Sequence, residues 1–299
     1  NLYLCLSVIL VIEGIDINEI YCGDDPFLYF ISDDNFIGVF NLVLSLPNVN
    51  PNIYEYRMKE TPLIKSIREG QNKIVLALLN HKDIDINVES FSHVTALLIA
   101  VFKNNLNVVD LLVNNPKLKV ENNLNYSACL YYAIKSKSIE IVKLLLKRTE
   151  CNVNEIIPFS YINILNEEKL DRFNRHNFIL NPRNNHNNNN NNNNPIQKRI
   201  DSNISILENE SKYHSVSIIQ AAAASENLEI VNDVVNHPRF VPQKSTLILA
   251  IFESVKNNNS EIFDLLMSLY MQINGDFDVL NFFDLSFNSI VVIVSASNN

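Results

Sequence analysis

The feature that most constrains this chain is an internal repeat with a period of 33 or 34 residues. Equivalent leucines stand at Leu63, Leu97 and Leu130, which are 34 and 33 positions apart. Each copy predicts two short helices followed by an extended arm. A unit of this size cannot bury its own apolar stripe, so its neighbours must stack against it. The period therefore predicts a stack of repeats.

The copy at 61–87 shows why these elements should form. Thr61 is an expected N-cap, and Pro62 suits the first helical position because it has no N–H to satisfy there. Gly70 closes the first helix, where a positive φ is often required. From Ile74, apolar residues follow the i, i+1, i+4, i+5 pattern of one helical stripe. The alternation of polar and apolar residues at 83–87 then predicts a short extended arm.

Small residues recur at one position of the first helix. Ser66, Ala100 and Ala133 each stand eight positions before the first apolar residue of the second helix. We expect Ala100 and Ala133 to be buried where adjacent helices approach closely. The arms recur as well, and the motif I-D-I-N at 84–87 also occurs at 15–18.

The period and the order within each copy resemble the ankyrin repeat, a 33-residue unit with the pattern T-P-L-H-x-A. Three copies keep this register over residues 61–154. The resemblance implies an all-α repeat solenoid of stacked helix–turn–helix units with short hairpin arms. The chain departs from the family where Ile64, Leu98 and Tyr131 replace the His, and where the turn glycine survives only as Gly70. These departures lower the expected stability of each repeat and leave the architecture unchanged.

The same pattern divides the chain before the insert. Residues 26–52 form a degenerate copy, so the array is expected over 26–156 with about three full repeats and one degenerate repeat. We interpret residues 1–25 as a truncated N-terminal repeat. The apolar run at 2–12 also allows a targeting or membrane segment.

The repeat pattern ends after Asn154. Residues 157–214 include an unbroken asparagine run at 187–194, and a polar homopolymer buries too little apolar surface to offset its ordering entropy. This Asn-rich, low-complexity insert is therefore predicted to be disordered. Within it, residues 161–173 could form an amphipathic helix, either transient in a loop or docked on a surface.

The repeat pattern resumes at Ser217. Residues 215–271 are predicted to form further degenerate repeats that stack on the earlier array, with the insert looping out. The last copy has extra residues at 255–260, which we expect to lengthen its inter-helix turn. Residues 272–299 form either a C-terminal cap or a partial repeat.

Composition limits the function. The net charge of −9 argues against binding nucleic acid or an anionic membrane. The four cysteines lack C-x-x-C spacing, which favours reduced thiols in the cytoplasm and leaves a nuclear location open. His81 and His237 stand at equivalent repeat positions and are expected to be helix-end residues rather than metal ligands.

The chemistry of an enzyme is not apparent in the sequence. The five glycines are isolated, so no phosphate-binding loop is predicted, and no zinc-ligand spacing or nucleophile motif occurs. We therefore expect no catalytic residue, no cofactor and no metal. The resemblance implies a non-catalytic scaffold or adaptor that binds an unidentified partner protein through the concave repeat surface. The alternative is a targeting module of a longer enzyme whose catalytic domain lies outside this sequence.

By that resemblance, the partner surface consists of the arm tips and the exposed face of each first helix. The candidate partner-binding residues are Arg57, Met58, Glu60, Arg68, Glu69, Phe91, Ser92, Val94, Phe102, Lys103, Leu124, Asn125, Lys135 and Ser136. Among them, Phe91 and Phe102 are the strongest anchors if exposed, because aromatic side chains dominate many interfaces. Both could instead pack under an arm against the next repeat.

Overall fold

The computed structural model of the protein describes residues 16–91, 93–121, 123–158 and 215–274. Helices in these ranges come in pairs. The first helices are α1 (Phe27–Phe30), α3 (Pro62–Glu69), α5 (Ala96–Phe102), α7 (Leu124–Lys135), α9 (Ile218–Ala224) and α11 (Lys244–Lys256). The second helices are α2 (Ile37–Leu44), α4 (Asn72–Leu79), α6 (Leu106–Val113), α8 (Ile139–Leu146), α10 (Leu228–Val235) and α12 (Ser260–Asn274).

Short elements complete the described chain. They are two 3-10 helices (Ile17–Glu19 and Asp34–Phe36) and the strands β1 (Tyr21–Cys22), β2 (Asp25–Pro26), β3 (Ile156–Ile157) and β4 (Val216–Ser217). β1 pairs antiparallel with β2, and β3 pairs antiparallel with β4. The expectations for residues 1–15, 159–214 and 275–299 lie outside the described residues.

The helix pairs stack in a single row. Each first helix contacts the next one along the chain, from α1 through α11. Second helices also contact across repeats, α2 with α4, α6 with α8, and α8 with α10. Buried apolar side chains form one cluster that extends from Ile17 to Tyr270. The repeat solenoid predicted from the period is confirmed, and the repeats on both sides of residues 159–214 stack as one array.

Helix starts follow the capping chemistry of each copy. The Thr61 and Thr95 hydroxyls accept hydrogen bonds from the backbone N–H groups of Ile64 and Leu98 at 3.4 and 3.2 Å. In the next copy the equivalent position is Ala128, which has no capping oxygen. The helix α7 instead begins earlier, where the Asn123 side chain accepts hydrogen bonds at the N-terminus. A missing cap therefore lengthens that helix rather than breaking the repeat.

The arms are joined by asparagine side chains rather than by strands. The Asn87 amide donates to the Lys117 carbonyl at 2.8 Å and accepts from the Lys119 N–H at 2.9 Å. Asn52 makes the same pair of bonds to the next arm, as does Asn154. Residues 83–87 form no strand, and these polar bonds take the place of a backbone ladder. The predicted alternation is correct, since Ile84 and Ile86 are buried.

One arm departs from this pattern. Glu121 stands at the position that Asn52, Asn87 and Asn154 hold, and a carboxylate has no N–H to donate. Its Oε1 instead accepts a hydrogen bond from the Arg239 guanidinium at 3.3 Å, across the junction with the C-terminal repeats. This ion pair ties the two halves of the array together.

The stem of the insert is ordered. Ile156 pairs with Ser217, and Ile157 pairs with Val216. Ile157 is fully buried, so the predicted insert boundary at 157 is wrong and this residue belongs to the repeats. Likewise α12 extends to Asn274, beyond the boundary expected at 271.

The last copy also differs from expectation. Its extra residues do not lengthen the inter-helix turn, because α11 continues to Lys256 and only residues 257–259 separate it from α12. Ser254 takes the buried small-residue position of this copy, eight residues before Ile262, and its hydroxyl donates to the Ile251 carbonyl at 2.7 Å. Helical hydrogen bonding within 244–256 accommodates the added residues at lower cost than a longer loop.

Every inter-helix turn except the first contains a residue with positive φ. Gly70 has φ 75°, and the equivalent residues are Asn104, Lys137, Glu226 and Asn258, with φ between 53° and 60°. Glycine adopts this conformation without steric cost and asparagine tolerates it, whereas lysine and glutamate do not. Lys137 and Glu226 therefore carry backbone strain.

We expect Lys137→Gly to raise the free energy of unfolding by about 0.5–1 kcal/mol, because the relieved strain exceeds the entropy cost of glycine. Glu226→Gly should act in the same direction. The reciprocal change, Gly70→Ala, should cost about 1 kcal/mol. A Cβ at Gly70 would meet no atom within 4 Å, so that loss would report the backbone alone. Urea denaturation of the three variants measures these changes, and a destabilised Lys137→Gly would contradict the assignment.

Candidate functional site

Described residues of the arm tips of the second and third repeats are joined by hydrogen bonds. The Glu55 carboxylate accepts hydrogen bonds from the backbone N–H groups of Arg57 and Met58 at 2.8 and 2.5 Å. Lys59 then turns the chain with φ 54°, and His93 has the same role in the next arm with φ 56°. Such internal bonds hold a loop in one conformation before any partner arrives.

Neighbouring tips are also bonded to each other. The Phe91 N–H donates to the Met58 carbonyl at 2.9 Å. Tyr56 and Arg57 are exposed on one tip, and Phe91 on the next tip is 63% exposed. Met58 is half-buried. The two tips therefore present polar and aromatic side chains to solvent.

Three tyrosines at this edge are absent from the sequence-based candidates. Tyr21, Tyr54 and Tyr56 are exposed, and Tyr56 reaches 83% exposure. They line an open groove of about 860 Å³ whose rim carries the Arg57–Asp24 ion pair at 2.5 Å. The sequence carried a signal for Tyr54 and Tyr56, because aromatic residues stand there outside the repeated core positions.

Glu60 and Val94 are not on the surface, which corrects two candidate residues. Each is only 1% exposed. Both directly precede a helix N-cap, Thr61 and Thr95, where a side chain folds back onto the first helical turn. They belong to the structural core of the repeat.

Glu60 sits in a buried polar cluster. Its carboxylate accepts a hydrogen bond from the Tyr29 hydroxyl at 2.9 Å and forms an ion pair with Arg68. Burial, reinforced by the Glu60 charge and hydrogen bond, raises the pKa of Tyr29 far above its usual value. Lys65 donates to the Tyr29 carbonyl at 2.8 Å and lies 4.6 Å from the centroid of its ring. Arg68, another candidate, is thus largely buried, and the bonds of Glu60 and Lys65 to Tyr29 join the first two repeats.

Asn125 is also buried, at 6% exposure, because α7 begins one residue earlier and includes it in the first turn. Its amide nitrogen donates to the Glu89 carboxylate at 2.6 Å. Leu124 is half-buried beside it. The other Glu89 oxygen lies 3.0 Å from His93 Nδ1. Asn125 therefore positions the arm that contains Glu89 rather than facing a partner.

The remaining candidates lie at the ends of the first helices. Phe102 is 37% exposed, and its ring meets the Tyr132 ring edge-on with centroids 6.4 Å apart. Tyr132 in turn contacts Tyr131 at 5.5 Å, and the Lys135 ammonium lies 5.8 Å from the centroid of the Tyr131 ring. Phe102 is therefore both partly exposed and packed against the next repeat. Glu69, Lys103, Lys135 and Ser136 are exposed, and Ser92 lies outside the described residues.

The buried thiols are unsuited to nucleophilic chemistry. Cys129 and Cys151 are fully buried, and burial raises the pKa of Cys151 to about 12. Burial likewise raises the pKa of Cys129, helped by its proximity to Cys151. Thiols are poor nucleophiles and metal ligands because the thiolate is the reactive form.

His81 and His237 have the helix-end role expected from the sequence. In each, Nδ1 accepts a hydrogen bond from the backbone N–H two residues later, at 3.2 and 3.3 Å. Across the described ranges, no group of three His, Cys, Asp or Glu side chains is placed to hold a metal ion. No helix of those ranges combines the length and apolarity needed to cross a membrane.

Helix pairs stacked in one row, joined by short arms, define a helix–turn–helix repeat solenoid. Residues 88–156 match the family model described as ankyrin repeats (3 copies). Residues 88–156 therefore carry ankyrin repeats, as the resemblance implied, and such repeats generally mediate protein–protein interaction.

Similar solved structures are ankyrin repeat domains as well. The ankyrin repeat domain of Bcl-3, described as a unique member of the IkappaB protein family, has a TM-score of 0.43 and 20% identity. That alignment covers 51% of this chain and 68% of the Bcl-3 chain. The human ASB11 ankyrin repeat domain has a TM-score of 0.38 and 14% identity, over 76% of this chain and 97% of the other. No curated protein matches the chain.

Proposed function

We propose that this chain binds a partner protein, without catalysis, through its arm tips and the exposed ends of its first helices. The observation that supports this most is the row of exposed aromatic side chains on neighbouring tips, Tyr56 and Phe91. Burying an aromatic side chain contributes more to an interface than burying almost any other residue type. Both rings are largely exposed on this chain and so contribute little to its own stability.

Hydrogen bonds within and between the tips support the same proposal. A partner that binds mobile loops must offset the entropy of ordering them, and here bonds of the Glu55 carboxylate and of the Phe91 N–H constrain the backbone of the tips. The surface is therefore preorganised for association. The raised pKa values of Cys129 and Cys151 disfavour these two thiols as nucleophiles.

The expected location is the cytoplasm. Cys22, Cys129 and Cys151 are free thiols in the described part of the chain. Disulfides are rare where glutathione and thioredoxin keep thiols reduced. These free thiols are what such a compartment favours.

We expect Tyr56→Ala combined with Phe91→Ala to weaken binding of a captured partner at least about tenfold, because both rings would lose their buried contact with it. The full chain serves as bait in a cell extract, and the recovered partner is then titrated against each variant. The melting temperature should change little, since both side chains are largely exposed.

The matched control is Leu76→Ala combined with Leu111→Ala, which removes two exposed apolar side chains from the second helices. This control should bind the partner as the parent chain does. An equal loss in both double variants would indicate a nonspecific apolar effect. Unchanged affinity in the aromatic variant would place the interface elsewhere.

A further inference from the structure

We propose that the first-helix ends of the third and fourth repeats bind an acidic, extended segment of the partner; this inference rests on the proposed function. Three exposed lysines stand there, Lys103, Lys135 and Lys137. The segments 99–107 and 132–138 contain no aspartate or glutamate, in a chain whose net charge is −9. The two segments therefore carry local positive charge on a protein that is acidic overall.

Contacts between the repeats place these lysines on one patch. The Ser138 hydroxyl donates to the Asn104 side-chain oxygen at 2.8 Å, so the two inter-helix turns touch. Lys103 and Lys137 are the immediate neighbours of the two bonded residues in the chain. Phe102, the residue before Lys103, contacts Tyr132 of the next repeat. We call Phe102, Lys103, Lys135 and Lys137 the basic patch.

The lysines of the basic patch have no ion pair among the described residues, unlike several other bases of the array. Arg68 is paired with Glu60, Lys143 with Glu229, and Arg239 with Glu121. Lys256, which ends the last first-helix, is paired with Glu253 at 3.6 Å. None of the ion pairs within the described ranges includes Lys103, Lys135 or Lys137. A carboxylate from outside can therefore pair with them without displacing an internal one.

Helix structure alone does not explain these residues. A base near the C-terminal end of a helix interacts favourably with the last carbonyls. The equivalent ends in the fifth repeat carry Ala224 and Glu226, so the fold does not demand a base there. Lys137 in addition occupies a positive-φ position that Gly70 and Asn104 suit better. The backbone there does not favour lysine, so the turn itself does not explain Lys137.

The geometry also limits the partner segment. Glu69 and Glu226 occupy the turns on either side, so the basic patch extends over two repeats only. Packed helices lie about 8–10 Å apart, and an extended chain advances about 3.3 Å per residue. Carboxylates about three residues apart in the partner would meet successive repeats. An apolar or aromatic residue beside them would contact the exposed part of Phe102.

The test is a selection of random linear peptides displayed on phage against the full chain. We expect enriched peptides to carry net negative charge, and a labelled enriched peptide to bind less tightly as salt is raised. Lys103→Glu combined with Lys135→Glu should weaken this peptide at least about tenfold, since attraction becomes repulsion. Anisotropy titration measures these affinities, and thermal melts check that each variant folds.

The matched pair Lys137→Gly and Glu226→Gly isolates the role of charge. Both should raise the melting temperature, but only Lys137→Gly should weaken the acidic peptide, and Glu226→Gly should bind it at least as well as the parent chain. Neutral or basic peptides in the selection, no enrichment, or acidic peptides unaffected by the lysine changes would each overturn the inference. The proposed function would still be judged separately, by the Tyr56 and Phe91 double variant and its captured partner.

Discussion

Glu60→Ala is expected to lower the free energy of unfolding by about 3–5 kcal/mol, the typical cost of breaking a buried ion pair from one side. The Glu60 side chain is 1% exposed, pairs with Arg68 and accepts the Tyr29 hydroxyl. Alanine would leave a guanidinium and a phenol in a buried site without their carboxylate. Urea denaturation, followed by circular dichroism, gives the free energy directly.

Two controls separate this loss from other effects. Glu69→Ala changes an exposed carboxylate on the same helix and should shift the free energy of unfolding by no more than about 0.5 kcal/mol. Glu60→Leu combined with Arg68→Met removes both charges and keeps the volume, so it should recover much of the lost stability. If Glu60→Ala unfolded like the parent chain, the assignment of Glu60 to a buried ion pair would be wrong, and Glu60 would be a surface residue.

The period was sufficient to predict the stack because burial imposes it. Every helix pair must match the stripe of its neighbours, so apolar positions recur in the sequence wherever they contact in the fold. Ala100 and Ala133 were placed correctly in the core for this reason. The same logic placed the start of the next repeat at Ser217, which is the N-cap of α9, although residues 159–214 intervene.

Surface positions could not be predicted as well, since they depend on contacts that no period specifies. Glu60 is charged and precedes a helix, which suggests exposure, yet its partner Tyr29 lies 31 positions earlier. Asn125 was expected on the surface by resemblance to the family. It is buried because the cap at Asn123 replaces the usual threonine and draws Asn125 into α7. Tyr54 and Tyr56 lie outside the aligned repeat positions, so the alignment of copies did not reach them.

Ala133→Leu should destabilise the array by about 1–3 kcal/mol, because the core around Ala133 has no room for three more carbon atoms. Ala133 is fully buried in α7, which packs between α5 and α9 and so links the repeats before and after residues 159–214. Overpacking must push a neighbouring helix aside or force side chains off their rotamers.

The matched control is Ala224→Leu, an exposed alanine at the end of α9, where leucine has nearly the helix propensity of alanine. Its melting curve should overlay that of the parent chain. If Ala133→Leu overlaid the parent curve as well, the close helix approach at this register would be wrong. If Ala133→Leu split one transition into two, the repeats on the two sides of α7 would unfold as separate units. The array would then be continuous in the native state but would not unfold cooperatively.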